Sequence, residues 1–454
     1  MAKVCPAPDA GFDLEVETLV IGAGAAGLTA AVAARDAGRE VLVLERDPVP
    51  AGSTALSAGL VPAAGTALQA EAGIDDDWER FAEDIQAKAE RENDPALVAR
   101  LARGAGPAIA WLGERHGLPF SIVHDFDYPG HSRRRMHGLP SRSGAELVDR
   151  LRTAAEEAGA DILCEAAVTT LFTAGRRIAG VAFTRPDGAE ERIGCARLVL
   201  ACNGFGGNRA MVAEHMPGIA DALWFGHDGN RGEAVEWGQA LGAATHHLGA
   251  YQGHGNVAHP HGILVTWATI TEGGVQVNRA GRRFWDESQG YSEAARAVLA
   301  QPGGEAFTIF DARIAAIARQ FADFRAAEDA GAIREGTTPE ALAQALDLPS
   351  AALAETLAAI PAGGTDAYSR SFPARALAPP FLGVRVTGAL FHTQGGLVTD
   401  DTARVVDAQG QPFPNLFAAG GAACGVSGAG DTGYLSGNGL LAAVVLGRLA
   451  GIAP

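Results

Sequence analysis

Gly22, Gly24 and Gly27 stand in the run Val20-Ile-Gly-Ala-Gly-Ala-Ala-Gly27, a spacing that lets a backbone turn hold a pyrophosphate. Gly22 permits the tight turn, Gly24 lets main-chain N–H groups approach phosphate oxygens, and Gly27 lets the following helix pack against the preceding strand. The start of that helix adds partial positive charge. Glu45 comes about 20 residues later, at the end of a second apolar strand, where a carboxylate accepts hydrogen bonds from the ribose of a bound dinucleotide. The run Gly52-Ser-Thr-Ala-Leu-Ser-Ala-Gly59 is small and hydroxylated. It suits a loop lying on a flat cofactor, where larger side chains would collide, and so predicts a second contact.

Other groups with chemical capacity are less organised. His246, His247, His254, His259 and His261 match no helical or tetrahedral ligand spacing and have no acidic partner, so they read as a polar loop over a pocket, not a metal site. Arg133 to Arg135, in the polar and irregular segment 125–138, could bind a carboxylate bidentately, although a run of three arginines more often forms a solvated face. Cys5, Cys164, Cys195, Cys202 and Cys424 are scattered without a C-x-x-C pair, which indicates neither a disulfide framework nor zinc. The net charge of −17 argues against nucleic acid or an anionic membrane as partner. With no signal-like N-terminus and no apolar run of spanning length, the expectation is a cytoplasmic protein without a membrane span.

The elements that position these residues read as an α/β fold. A strand ending at Ile21 enters the glycine turn, a helix over 28–37 closes at Gly38, and a strand follows at 41–44. Helical spacing with acidic starts covers 75–91 and 94–116, with Gly117 closing the second. A helix over 143–159 leads to a strand at 161–163. A meander at 177–183 and 190–195 follows around the turn 185–188, and then a buried strand at 198–204. Between about 249 and 380 the pattern changes to a histidine-bearing loop, a glycine turn and helices at 311–330 and 338–346, as in a separate cap. The remainder returns to strands and glycines and ends in an alanine- and leucine-rich helix after Gly439.

Three blocks then converge on a family. They are the glycine fingerprint with Glu45; Glu272-Gly-Gly-Val-Gln-Val-Asn-Arg-Ala-Gly-Arg-Arg-Phe-Trp-Asp-Glu287; and Phe391-His-Thr-Gln-Gly-Gly396 with Asn415-Leu-Phe-Ala-Ala-Gly-Gly421 and Gly433-Tyr-Leu-Ser-Gly-Asn-Gly439. Together they resemble the fumarate reductase and succinate dehydrogenase flavoprotein superfamily, which includes the 3-ketosteroid dehydrogenases. The resemblance implies a discontinuous Rossmann-like FAD-binding domain over 1–248 and 387–454. It also implies an inserted α+β cap over 249–386 that closes on the isoalloxazine, with substrate held between them. It places FAD against Gly22, Gly24, Ala25, Ala26, Gly27, Glu45, Arg46, Gly52, Ser53, Thr54, Ser57, Ala58, Gly59, Val168, Asn203, Gly204, Gly420, Asn438, Gly439, Leu440 and Leu441. No histidine lies in the 52–59 loop, where succinate dehydrogenases attach their flavin, so FAD is expected to be non-covalent.

Departures from the family pattern select a branch. Tyr291 stands where fumarate reductases have a proton-donating arginine, and Tyr434 where they have a carboxylate-binding arginine. With Tyr128 these are similar to the tyrosine set of 3-ketosteroid Δ1-dehydrogenases. The implied reaction introduces a C=C bond α,β to a ring ketone, in a 3-ketosteroid or a smaller oxo-ring compound. Tyr434 and the backbone of 437–439 would polarise the carbonyl, Tyr291 would take the α proton, Tyr128 would support Tyr291, and flavin N5 would take the hydride. His392 and Gly439 are the expected substrate contacts, and electrons would pass to an external acceptor or come from an external donor. The alternatives are an ene reductase of fumarate or urocanate type and, in another class, a non-catalytic flavin-binding protein.

Overall fold

The computed structural model describes residues 2–124 and 128–454, and these form two compact units. The first runs to Met216 and takes in Gly226–Tyr251 and His392–Pro454. Its centre is the strand Leu14–Ile21, flanked in parallel register by Val41–Leu44 on one side and Glu190–Leu200 on the other, with Asp161–Leu163 outside Val41–Leu44. Val41–Leu44 is apolar and buried at every residue, the composition a parallel strand needs when both faces are covered. Sequence reading divides 190–204 into two strands. The structure joins most of it into one, Glu190–Leu200, which pairs antiparallel with Arg177–Thr184 first and parallel with Pro412–Ala418 last. Arg197 does not interrupt it, because its guanidinium lies over the Phe417 ring and donates to the Ala450 carbonyl at 2.9 Å.

Two helices cover the glycine turn. Ala25–Asp36 packs on Asn438–Ile452 at a crossing that excludes side chains, since a Cβ on Gly447 or Gly451 would sit 2.5 Å from the carbonyl oxygen of Ala26 or Ala30. The first helix begins at Ala25, earlier than the apolar spacing suggests, because its cap is Gly24 itself. Side-chain caps fix three others: Asp77 for Trp78–Lys88, Asp94 for Pro95–His116 and Ser143 for Gly144–Glu157. Among the described residues no helix is long and apolar enough to cross a membrane.

The second unit comprises Pro217–Phe225 and Gln252–Phe391. Its sheet is built on the long strand Phe381–Thr393, which pairs antiparallel with Glu305–Asp311 and Ile333–Gly336 and parallel with Leu223–Trp224. Its division therefore differs from the expected cut at 249 and 386: the paired portion of Phe381–Thr393 stays with its sheet to Phe391, and Pro217–Phe225 joins that sheet. The helix expected over 311–330 is two, Ala312–Ala318 capped by Asp311 and Ala322–Asp329, since Phe321 adopts an extended conformation between them. A buried ionic cluster stiffens this unit: Arg283 and Arg370 share Glu287, and Arg283 also binds Asp366.

Candidate active site

In the glycine turn, two glycines answer to the chain's own packing and the third does not. Gly22 has φ +101° and a Cβ there would lie 2.6 Å from the Ala201 carbonyl oxygen, while a Cβ on Gly27 would collide with the carbonyl of Gly22. At Gly24 a Cβ would meet only Thr54 Oγ1, at 3.4 Å. The polypeptide leaves that face open, which is where a phosphate would need the backbone bare. Glu45 is buried at the end of Val41–Leu44; its Oε2 accepts the Ala23 N–H at 2.7 Å and its Oε1 the Asp47 N–H at 3.0 Å. The carboxylate thus braces the turn. Thr54 Oγ1 accepts the Ala25 N–H at 3.0 Å, tying the 52–59 run to the helix start.

That run is not a loop throughout. Gly52–Ala55 is one helical turn, after which Ser57 donates to the Thr54 carbonyl at 2.7 Å and accepts the Gly59 N–H at 3.1 Å. Ser57 N–H also donates to the Thr54 carbonyl, so short local bonds win over an open loop through Ala58. Ser53 Oγ receives the amides of Asn203 at 2.9 Å and Asn230 at 2.7 Å, and Asn203 Oδ1 accepts the Gly204 N–H. Arg46 pairs with Glu233 at 2.6 Å. Val168 is buried in the strand Ala167–Ala174, opposite Phe183, and the Ala166 N–H just before that strand donates to the Glu45 carbonyl at 2.8 Å. Gly420 opens a short 3-10 turn after Pro412–Ala418 and faces Ala26, while Asn438, Gly439, Leu440 and Leu441 form the first turn of Asn438–Ile452. A bare turn, a helix N-terminus, a carboxylate at ribose distance in sequence and a row of hydroxyls fit FAD in its extended form.

Within the same unit Tyr434, His392 and Gly439 come together. The Tyr434 ring meets His392 edge-on, with centroids 5.5 Å apart, and a Cβ on Gly439 would lie 3.1 Å from His392 Cε1. Burial raises the Tyr434 phenol above its ordinary range, against the opposing effect of a hydrogen bond from the Gly437 backbone, so the phenol stays a proton-bearing donor. Burial pushes His392 down to about 4, leaving a neutral imidazole. The loop of Tyr128 packs on the Tyr434 turn through His131, whose Nε2 donates to the Ser436 carbonyl at 2.9 Å, and through Gly130 against Leu435. Burial moves the Tyr128 phenol up to about 12. Asp125, Phe126 and Asp127, at the start of the polar segment 125–138, lie outside the described residues.

The arginines of that segment correct the sequence reading. Arg135 is not on a solvated face: it is 1 % exposed, paired with Asp76 at 2.9 Å and with Asp84, and stacked over Phe81. Arg133 donates to the backbone carbonyls of Asp75 and Ser132.

In the second unit Tyr291 opens the helix Tyr291–Leu299 inside an aromatic cluster. His254 stacks on it at 5.1 Å, Trp267 lies 6.4 Å away edge-on, and His254 also stacks on Phe391 at 5.5 Å. His254 does not lie in a loop but in the buried strand Tyr251–Ala258, next to Gly255, where a Cβ would collide with Ala294 and push the helix away. Burial lowers it to about 3, and its Nδ1 accepts the Asn256 N–H at 3.2 Å. The His246 and His247 rings lie 3.8 Å apart, tilted by 33°, and among the described residues no group of three or more His, Cys, Asp and Glu is placed to hold a metal. Sequence reading missed Gln394, Ser427, Asn230 and His131 as site residues. Gln394, in the quoted Phe391-His-Thr-Gln block, and His131, in the segment 125–138, stood close to residues already chosen.

With this geometry in place, comparison with known proteins gives a consistent result. Residues 17–440 match the family described as FAD binding domain, and the chain belongs to that family. It is 32% identical over 459 residues to a probable fumarate reductase of Shewanella frigidimarina, across 99% of this chain and 76% of that protein. Its fold superposes with TM-score 0.83 on the open conformation of a flavocytochrome c3 fumarate reductase, at 31% identity over 98% of this chain and 78% of that one. It superposes with TM-score 0.80 on a 3-ketosteroid-Δ4-(5α)-dehydrogenase from Rhodococcus jostii RHA1, at 26% identity over 99% of both. The chain is an FAD-dependent oxidoreductase acting on carbon–carbon bonds, and FAD is its cofactor.

Proposed function

We propose that this chain is a dehydrogenase that introduces a C=C bond α,β to a ring ketone, a 3-ketosteroid or a smaller oxo-ring compound. One observation carries the reading: Tyr434 is a buried phenol set edge-on to the His392 ring, in the position that the sequence reading matches to the carboxylate-binding arginine of fumarate reductases. A neutral carbonyl oxygen takes a hydrogen bond from a phenol, whereas a carboxylate brought to the same place without a cation would lose its solvation uncompensated. Among the arginines at 133–135 and 282–283, Arg135 is paired with two aspartates, Arg283 with Glu287 and Asp366, and Arg282 with Glu355.

In this reading Tyr434 donates to the carbonyl and favours enolate character, with the N–H groups of 437–439 adding to it. Tyr291 takes the proton from the α carbon, His392 and Gly439 fix the substrate, and Tyr128 lends support to the base. FAD, bound non-covalently by the turn at 22–27, Glu45, Arg46, the 52–59 run, Val168, Asn203, Gly204, Gly420 and the 438–441 turn, supplies the hydride acceptor. The aromatic surroundings of Tyr291 suit a ring substrate better than a short acid.

The test is an anaerobic flavin titration. Saturated 3-ketosteroids and substituted cyclohexanones are added to oxidised protein, and enones, fumarate and urocanate to reduced protein. Bleaching by a ketone supports the proposal. Reoxidation by an unsaturated acid alone would overturn it in favour of the ene reductase.

A further inference from the structure

We infer that Gln394 is a positioning residue that sets the tautomer of His392, so that the imidazole presents its Nε2–H as a hydrogen-bond donor. The amide of Gln394 lies between two partners. Its Nε2 is 2.9 Å from His392 Nδ1, and its Oε1 accepts the Ser427 hydroxyl at 2.8 Å. Ser427 Oγ in turn accepts the Asn438 amide at 3.2 Å. Gln394, Ser427 and Asn438 are all buried, at 5%, 1% and 0% exposed, so water is not available to replace any of these bonds.

The direction of the chain follows from the orientation of the Asn438 amide, whose Nδ2 faces Ser427 Oγ. Asn438 gives a hydrogen to Ser427 Oγ, so the serine spends its own hydrogen on Gln394 Oε1. That orients the Gln394 NH2 towards His392 Nδ1, which must then be the unprotonated ring nitrogen. The competing partner is the Thr393 carbonyl, 3.3 Å from the same Nδ1, which would require Nδ1 to carry the hydrogen. It is the longer contact, and choosing it would set the Gln394 N–H against the imidazole N–H. With Nδ1 filled, the hydrogen resides on Nε2, on the side of the ring close to Gly439. That the donated hydrogen meets a substrate oxygen rests on the function proposed above; the tautomer itself does not.

The experiment uses the full FAD-loaded chain labelled with 15N-histidine, in which long-range proton–nitrogen correlations report which ring nitrogen bears hydrogen. The His392 signal is assigned by its loss in His392→Asn. The expected result is a pyrrole-type Nε2 and a pyridine-type Nδ1 without any substrate. In Gln394→Glu the carboxylate can only accept, so the hydrogen should move to Nδ1, and kcat/KM for the ketone should fall about tenfold or more while the flavin spectrum is kept. Ser427→Ala frees the amide to turn and should give both tautomers, which covers the case in which the glutamate variant does not fold. Hydrogen on Nδ1 in the parent protein, or on Nε2 in Gln394→Glu, would overturn the inference even if a ketone bleaches the flavin. The expected tautomers with no response to any ketone would leave the inference standing and remove the proposed function alone.

Discussion

The glycine turn of the first unit and the aromatic cluster of the second are built on opposite principles. Around Gly22 to Gly27 the polar groups are backbone N–H donors and small hydroxyls, held by single hydrogen bonds to later elements of the same unit: Ala23 by Glu45, and Ala25 by Thr54. Around Tyr291 the working groups are rings drawn from distant strands and helices, Phe391 among them, with His254 between two of the rings. A backbone site tolerates almost no added atoms but asks little of side-chain identity. A ring cluster has the reverse tolerance, and so substitutions should separate cofactor retention from turnover.

The largest effect is expected at Tyr291. Tyr291→Phe keeps the ring stack and removes the hydroxyl, so kcat for ketone oxidation should fall by about 10²- to 10⁴-fold with FAD retained, as for loss of a general base. Turnover unchanged in stopped-flow flavin bleaching would dismiss Tyr291 as the base. Next come the glycines, which sharpen the contrast inside the turn. Gly27→Ala forces a Cβ onto the Gly22 carbonyl and should destabilise the protein by about 1–3 kcal/mol or more. Gly24→Ala meets only Thr54 Oγ1, so the unfolding midpoint of FAD-free protein should barely move while the Kd for FAD rises. Equal loss of stability in both variants would mean that Gly24 serves packing and not the phosphate.

How much could be read without coordinates follows the same division. Gly27 and the strand Val41–Leu44 were legible because a close crossing and a buried run leave a mark within a few residues, whereas Gly22, whose Cβ would meet the distant Ala201 carbonyl, and Glu45 were legible through spacing alone. Gly24 was legible through the spacing itself. His254 was not, because the Tyr-Gln-Gly-His-Gly-Asn segment has no strand-like apolar alternation, and its burial comes from Ala294 closing over Gly255. Arg135 was misread for a related reason: only tertiary contact shows that Asp76 and Asp84 await it. The division of 311–330 into two helices rests on one extended residue, Phe321, which helical periodicity does not register.

The smallest prediction concerns acid, and it tests whether the ring cluster depends on neutrality as the turn does not. Burial lowers His254 to about 3 and His392 to about 4, below the ordinary histidine value of 6.5. The unfolded chain therefore binds more protons than the folded one between those values, so stability is full above about pH 6.5 and is lost as pH falls towards the folded values. Each such histidine contributes at most about 1.4 kcal/mol per pH unit across that window. In His254→Gln the amide oxygen can still accept near Nδ1, where the Asn256 N–H donates, but nothing titrates. Its urea midpoint should therefore decline less steeply than the parent's from pH 6.5 to 5, with His392, His131 and His137, each lowered to about 4 by burial, still supplying a residual slope. Equal slopes would show that His254 is already protonated in the fold or reached by water. The stack on Tyr291 would then hold a cation, and the neutral character of the rings around the proposed base would fail with it.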